Sequence, residues 1–252
     1  MGCFNLDDAV GMYIPEFKTG ENSKLKIRHL ITMSSGLNWD ESYSSLFSMT
    51  TEAYYGTDLK KLILCLKVIE EPGKTFRYMS CNTVLLAIII SITSGMSISD
   101  YASKYLWNSI GASQSAYWSL DNNDGLEKSY CCFYSTARDF AKVGKLFLDS
   151  GYWNGQEIVP FDFVMESIKP NGCVDGNGNP VDYYGFHWWL MNSGENKIFY
   201  ARGILGQYII VIPEERIIIV RLGKLRGEKN NNHYTDMINY TNGVLKIFGE
   251  HR

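Results

Sequence analysis

No block of Lys or Arg occurs in this 252-residue chain, whose 24 basic side chains are outnumbered by 27 Asp and Glu for a formal charge of -3. A surface that neutralises nucleic-acid phosphates needs clustered positive charge, so nucleic acid is not an expected partner. Metal-ligand spacing is missing too. Six Cys (Cys3, Cys65, Cys81, Cys131, Cys132, Cys173) form no C-x-x-C pair, and His29, His187, His233 and His251 are scattered, so neither a metal nor another cofactor is expected. The longest uncharged apolar run, residues 84–92, falls far short of the roughly 20 residues that span a bilayer, and no membrane span is expected. The opening MGCFNLDDAVGMYIPEF lacks a basic stretch followed by an apolar one, so it does not read as a signal peptide. Leu6 stands where an acylation motif beginning at Gly2 wants Ser or Thr. Compartment and oligomeric state stay open, and there is no repeat or low-complexity linker.

What is present describes a globular protein. Hydrophobic residues make up 45 % of the chain, with six Trp, seventeen Tyr and twelve Phe to fill a core. The length allows one domain or two interleaved ones. Vicinal Cys131 and Cys132, with Cys65 and Cys81 in apolar runs, read as reduced, buried small hydrophobes.

The chain changes grain along its length. Residues 27–151 alternate helical periodicity with turns, whereas residues 183–223 are dominated by aromatic and β-branched runs that read as sheet. In KIRHLITMSSGL, Ile27, Leu30 and Ile31 recur at helical spacing and Gly36 supplies the stop. TDLKKLILCLKVIEEPG reads as an amphipathic helix with Asp58 near its N-cap. NTVLLAIIISITSGMSISDYASKYLWNSIG reads as an apolar helix broken at Gly95, then a Ser-capped second helix. STARDFAKVGKLFLDSG has a Ser135 or Thr136 cap, Asp139 in its first turn, and Phe140, Val143 and Phe147 on one face. Residues 171–180 are a Gly/Asn/Asp-rich loop. YYGFHWWLM, KIFYARGILGQYIIVI and IIIVRLG predict three consecutive antiparallel strands, and HYTDMINYTNGVLKIFG a final helix on the sheet.

The order of LDDAVGMYIPEF, LKIRHLITMSSGL, PGKTFRYMSCNTVLLAIII, STARDFAKVGKLFLDSGYWNGQ and YGFHWWL resembles the serine β-lactamase-related family, and the 6-aminohexanoate-dimer hydrolase and esterase branch above all. The resemblance implies an α/β (α+β) fold, β-lactamase/transpeptidase-like: an antiparallel sheet flanked by helices plus an inserted helical subdomain. Residues 27–151 would form the helical subdomain and residues 152–252 the sheet and C-terminal helix. It also implies hydrolysis of an amide or ester bond in a small substrate. A Ser on an S-x-x-K helix attacks, Lys and a Tyr move its proton, and backbone N–H groups hold the oxyanion.

On that pattern Tyr78 is the family's Tyr and therefore the candidate base, and Ser80 stands where many relatives carry Asn. Ser80 either donates to a substrate carbonyl or caps the helix starting near Asn82. A-R-G at residues 201–203 stands where the family carries K-T-G, which makes Gly203 and the N–H of Ile204 the oxyanion side of the site. Trp189, with His187 and Trp188, is a candidate for lining the cleft. Two formal matches are decoys: S-x-x-K at residues 23–26 and K-T-G at residues 18–20 both precede the places the family reserves for them. The family's nucleophile belongs a helix length before LDDAVGMYIPEF. The expectation is therefore a chain without its catalytic Ser and Lys and without the early strands, inactive as it stands, either the later part of a longer serine hydrolase or a non-catalytic remnant.

Overall fold

The computed structural model describes residues 4–249, and the chain divides into two compact units. The first holds the residues up to Trp107 with Ala116–Tyr134 and Asn171–Val181. The second holds Asn108–Ser115, Ser135–Pro170 and everything from Asp182 onward.

Five helices organise the first unit: α1 (Ile27–Ile31), α2 (Met49–Tyr55), α3 (Leu59–Leu64), α4 (Ser80–Ser94) and α5 (Ile98–Ala102). A two-stranded ribbon, β1 (Tyr117–Trp118) with β2 (Phe133–Tyr134), completes it. Helix α4 carries no charge and is apolar nearly all round, as befits a helix enclosed by its own unit. Val84, Leu85, Ile88 and Ile89 enter one core with Ile14, Phe17, Leu25, Leu30 and Ile63. It ends as expected at Gly95, whose φ of 68° returns the N–H to the Ser91 carbonyl. Ser97 then caps α5. Asp58 caps α3 through the Lys61 N–H, but that helix stops at Leu64, well short of the Pro-Gly turn. Helix α1 likewise stops before Gly36. The Thr32 hydroxyl donates to the Arg28 carbonyl and Met33 takes the left-handed turn at φ 56°.

The second unit is built on a four-stranded antiparallel sheet in the order β5 (Trp189–Ser193), β6 (Asn196–Gly203), β7 (Gln207–Ile212), β8 (Ile217–Leu222). Short pairs β3 (Tyr152–Trp153) with β4 (Gln156–Glu157) and β9 (Lys229–Asn230) with β10 (His233–Tyr234) stand apart from it. Helices α6 (Ala137–Leu148), α7 (Phe161–Ser167) and α8 (Thr235–Gly249) complete the unit. Alternation along β7 assigns its faces. Ile209 and Val211, with Ile218 of β8, meet α6 at Gly144, where even a Cβ would stand 2.9 Å from Ile209. Tyr208 and Arg221 point the other way and bond to Asp236 of α8. The expected terminal helix therefore lies on the face opposite α6. Helix α6 starts at its Thr136 cap, and although it falls within residues 27–151 it belongs to this sheet-bearing unit.

Three expectations are corrected. KIFYARGILGQYIIVI is not one strand: Leu205 (φ 61°) and Gly206 (φ 81°) reverse the chain between Gly203 and Gln207, so the sheet has four strands rather than three. The first of them begins only at Trp189, because a reversal at His187 (φ 58°) folds Tyr184 back onto Trp189. Cys131 and Cys132 are not reduced. A turn with Cys132 at φ 59° brings their sulfurs together as a vicinal disulfide.

Candidate active site

The segment leading into α4 is held from both sides. Gly73 N–H donates to the Ser34 carbonyl and Arg77 N–H to the Met33 carbonyl, both at 2.8 Å. On the other side Phe76 N–H donates to the Val174 carbonyl (2.8 Å) and Val174 N–H to the Lys74 carbonyl (3.0 Å). The 171–180 loop is thus a brace on residues 74–76 rather than a free connection. Arg77 turns outward to Glu70 in a 2.9 Å ion pair. Tyr78 follows, half-buried, next to the fully enclosed Met79, which occupies the N-cap position of α4 without a side-chain cap.

Ser80 is the first residue of α4, two positions earlier than expected, and it caps nothing. Its N–H donates to Glu41 Oε2 at 2.7 Å and its hydroxyl to Glu41 Oε1 at 2.7 Å. Trp39 Nε1–H donates to Oε2 at 2.6 Å, and the Tyr43 hydroxyl bonds to Oε1. Glu41 therefore receives four hydrogen bonds, with no Lys or Arg paired to it among the described residues. Burial, and then the Glu41 charge, push the Tyr130 phenol and the Cys81 thiol above their ordinary ranges. Sequence reasoning missed Glu41. It sits in WDESY, 39 residues from Ser80, and no local spacing links the two.

Of the residues expected on the oxyanion side, Gly203 ends β6, and Ile204, 55 % exposed, opens the hairpin turn to β7. Trp189 is only 6 % exposed. The Arg202 guanidinium covers its ring at 3.3 Å from the centroid and donates to the Asn232 carbonyl at 3.0 Å. Arg202, not the Trp189 face, thus forms the outer surface there. The decoys are surface features. Ser23 lies exposed in a 3-10 turn (Gly20–Lys24), its hydroxyl donating to the Gly20 carbonyl, and Lys26 is exposed beside Asp7. Lys18 and Gly20 belong to the same run of short turns. Among the described residues no cluster of His, Cys, Asp and Glu has a metal-binding arrangement, and no single helix is long and apolar enough to cross a membrane.

With a braced Tyr-bearing segment ahead of a buried helix and an antiparallel sheet covered by helices, the chain has the β-lactamase/transpeptidase-like fold. The Beta-lactamase family matches residues 1–237, and the chain belongs to that family. Among curated proteins it is similar to a 6-aminohexanoate-dimer hydrolase of Paenarthrobacter ureafaciens, 26 % identical over 83 % of this chain and 57 % of the relative. It is also similar to protein flp of Staphylococcus aureus (strain COL), 25 % identical over 90 % of this chain and 49 % of the relative. The chain thus spans about half the length of the curated relatives it matches. Among solved structures, a putative 6-aminohexanoate-dimer hydrolase from Bacillus anthracis superposes with a TM-score of 0.82 at 23 % identity, over 98 % of this chain and 67 % of the other. The penicillin binding protein from Bacillus halodurans gives a TM-score of 0.66 at 16 % identity, over 96 % of this chain and 78 % of that one.

Proposed function

We propose that the chain is the part of a serine hydrolase that binds small amide or ester substrates, with Tyr78 as the proton acceptor and the Ile204 N–H as an oxyanion donor. The observation that carries this is the bracing of the chain on both sides of Tyr78. The segment before it is tied to two other segments and the residue two places after it to a third, as a group needs to be if it is to meet a reacting atom in one geometry. Family membership and the similarity to 6-aminohexanoate-dimer hydrolases support the same reading.

The nucleophile in this proposal lies outside residues 4–249. The exposed Ser23, with its hydroxyl turned back on its own 3-10 turn, is no candidate for it. That feature also favours the rival reading, a binding module of the same fold without chemistry. Calorimetric titration of the chain with N-butylbutanamide separates the two from a purely structural remnant. Millimolar binding that Tyr78→Phe weakens about tenfold, the worth of one hydrogen bond to a hydroxyl, is expected. No binding, or binding indifferent to Tyr78→Phe, overturns the proposal.

A further inference from the structure

The edge strand β5, the β9–β10 hairpin and α8 border a hollow of about 400 Å3, within the roughly 300–1,000 Å3 of small-molecule sites. Among the described residues that line it, none is Asp, Glu, Lys or Arg. Asn192 of β5, Asn230 of the hairpin and Asn242 of α8 bring amides from three sides, and Met191 and Ile238 form an apolar patch between them. The Ser193 wall pairs with Asn196 at the start of β6, whereas Gly203 ends that strand.

The hollow is braced from within its own unit. Arg202 donates to the Asn232 carbonyl in the hairpin turn at 3.0 Å and bonds to the Tyr200 hydroxyl as well. Tyr200 is fully enclosed, and its hydroxyl lies 2.8 Å from His233 Nδ1. A guanidinium only donates, so the Tyr200 oxygen accepts from Arg202 and its own proton goes to Nδ1, since a buried phenol proton aimed elsewhere would go unpaired. Burial, and then the Arg202 charge, keep His233 neutral. Its ring proton therefore sits on Nε2, which bonds to nothing among the described residues and is left as a donor to the hollow. The Ser193 hydroxyl donates to Asn242 Oδ1 at 3.3 Å, which leaves the Asn242 NH2 as a second donor.

We propose that this hollow binds one ring of a neutral saccharide. A side-chain amide presents a donor and an acceptor side by side, which two adjacent sugar hydroxyls match, each being donor and acceptor at once. Ring hydroxyls accept from His233 Nε2–H and the Asn242 NH2 and donate to Asn192 and Asn230, while the C–H face lies on Met191 and Ile238. A phosphate or carboxylate would enter without a cation to receive it, and an ammonium without an anion. An extended peptide wants its partners in a row along one strand edge, whereas these amides surround a compact guest.

Methyl glycosides of glucose, galactose, mannose and N-acetylglucosamine are titrated by NMR into the 15N-labelled 252-residue chain, as wild type, Asn230→Ala, Asn242→Ala and Tyr78→Phe. At least one is expected to bind with a Kd of about 1 mM, which the usual ligand efficiency gives for a single sugar ring, and to shift the His233 ring resonances. Either Asn variant weakens it about fivefold to tenfold, the worth of one hydrogen bond. Both Asn side chains are exposed, so circular dichroism should show the fold retained. Tyr78→Phe leaves the affinity unchanged. No binding of any of the four up to about 20 mM, or binding that ignores both Asn variants or follows Tyr78→Phe, overturns the proposal. So does acetyl-trialanine methylamide bound in their place with the same sensitivity to the Asn variants. Each of these results leaves the hydrolase reading as it stands.

Discussion

Replacing Asp139 by Asn isolates how strongly the start of α6 is held to the chain before it. Asp139 is fully enclosed. Its Oδ1 accepts the Ser113 N–H (2.8 Å) and the Lys142 ammonium (2.9 Å), and its Oδ2 accepts the Gln114 N–H (3.2 Å) and the Thr136 hydroxyl (2.9 Å). Burial alone would raise its pKa. The bonds from Ser113, Lys142 and Thr136 outweigh that and hold the carboxyl well below the usual carboxylate range. Asn retains one acceptor oxygen and puts an NH2 against the Gln114 N–H and Thr136. The hydroxyl turns to accept, but the backbone N–H has nowhere to go, and Lys142, 25 % exposed, loses its counter-charge. One orphaned donor plus a weakened ion pair comes to about 3 kcal/mol. With a urea slope of about 3 kcal/mol/M for a chain of this size, the midpoint falls by about 1 M. Urea titration followed by far-UV circular dichroism at pH 7 reads this directly. Because the folded pKa lies below the unfolded one, the stabilisation is fully present above the unfolded value and is lost as pH falls through the folded one. The gap between wild type and variant should therefore close between about pH 5 and pH 1. A shift under about 0.3 M at pH 7, or a gap that widens in acid, refutes the reasoning.

Gly144→Val drives a branched side chain into Ile209 and Ile218, whose methyls already stand 2.9 and 3.1 Å from where a Cβ would be. It should cost about 1–3 kcal/mol in the same assay. His233 bonds to the Tyr200 hydroxyl at 2.8 Å, and burial, with the Arg202 charge, lowers its pKa to about 4. Its imidazole should titrate by NMR near that value, with its share of stability present above about pH 6.5 and lost as pH falls toward 4. Cys65 is exposed, whereas Cys81 and Cys173 are buried. Peptide mapping after brief maleimide treatment should find Cys65 modified and the other two modified only in denaturant.

How far the sequence can be read follows from the range of each signal. Gly95, Ser97, Asp58 and Thr136 act within one helical turn of themselves, and the helix ends they mark stand where local rules put them. The apolar run of α4 and the Phe76-Arg77-Tyr78 approach to it were legible for the same reason. The division of β6 from β7 was not, because the apolar Ile204 and Leu205 occupy the turn and only Gly203 and Gly206 mark it. Nor were the bonds from Val174 to residues 74–76, or from Ser80 to Glu41, which join segments remote in sequence through groups that look like ordinary loop residues. The candidate site was therefore half visible: its Tyr by position, and the carboxylate that orients its neighbours only by contact.

Intact mass spectrometry of the 252-residue chain after incubation with a fluorophosphonate most directly tests whether these residues bind substrate without supplying the nucleophile. The expected mass is that of the unmodified protein, in wild type and Tyr78→Phe alike. An adduct mapped to any Ser, Ser23 above all, contradicts it.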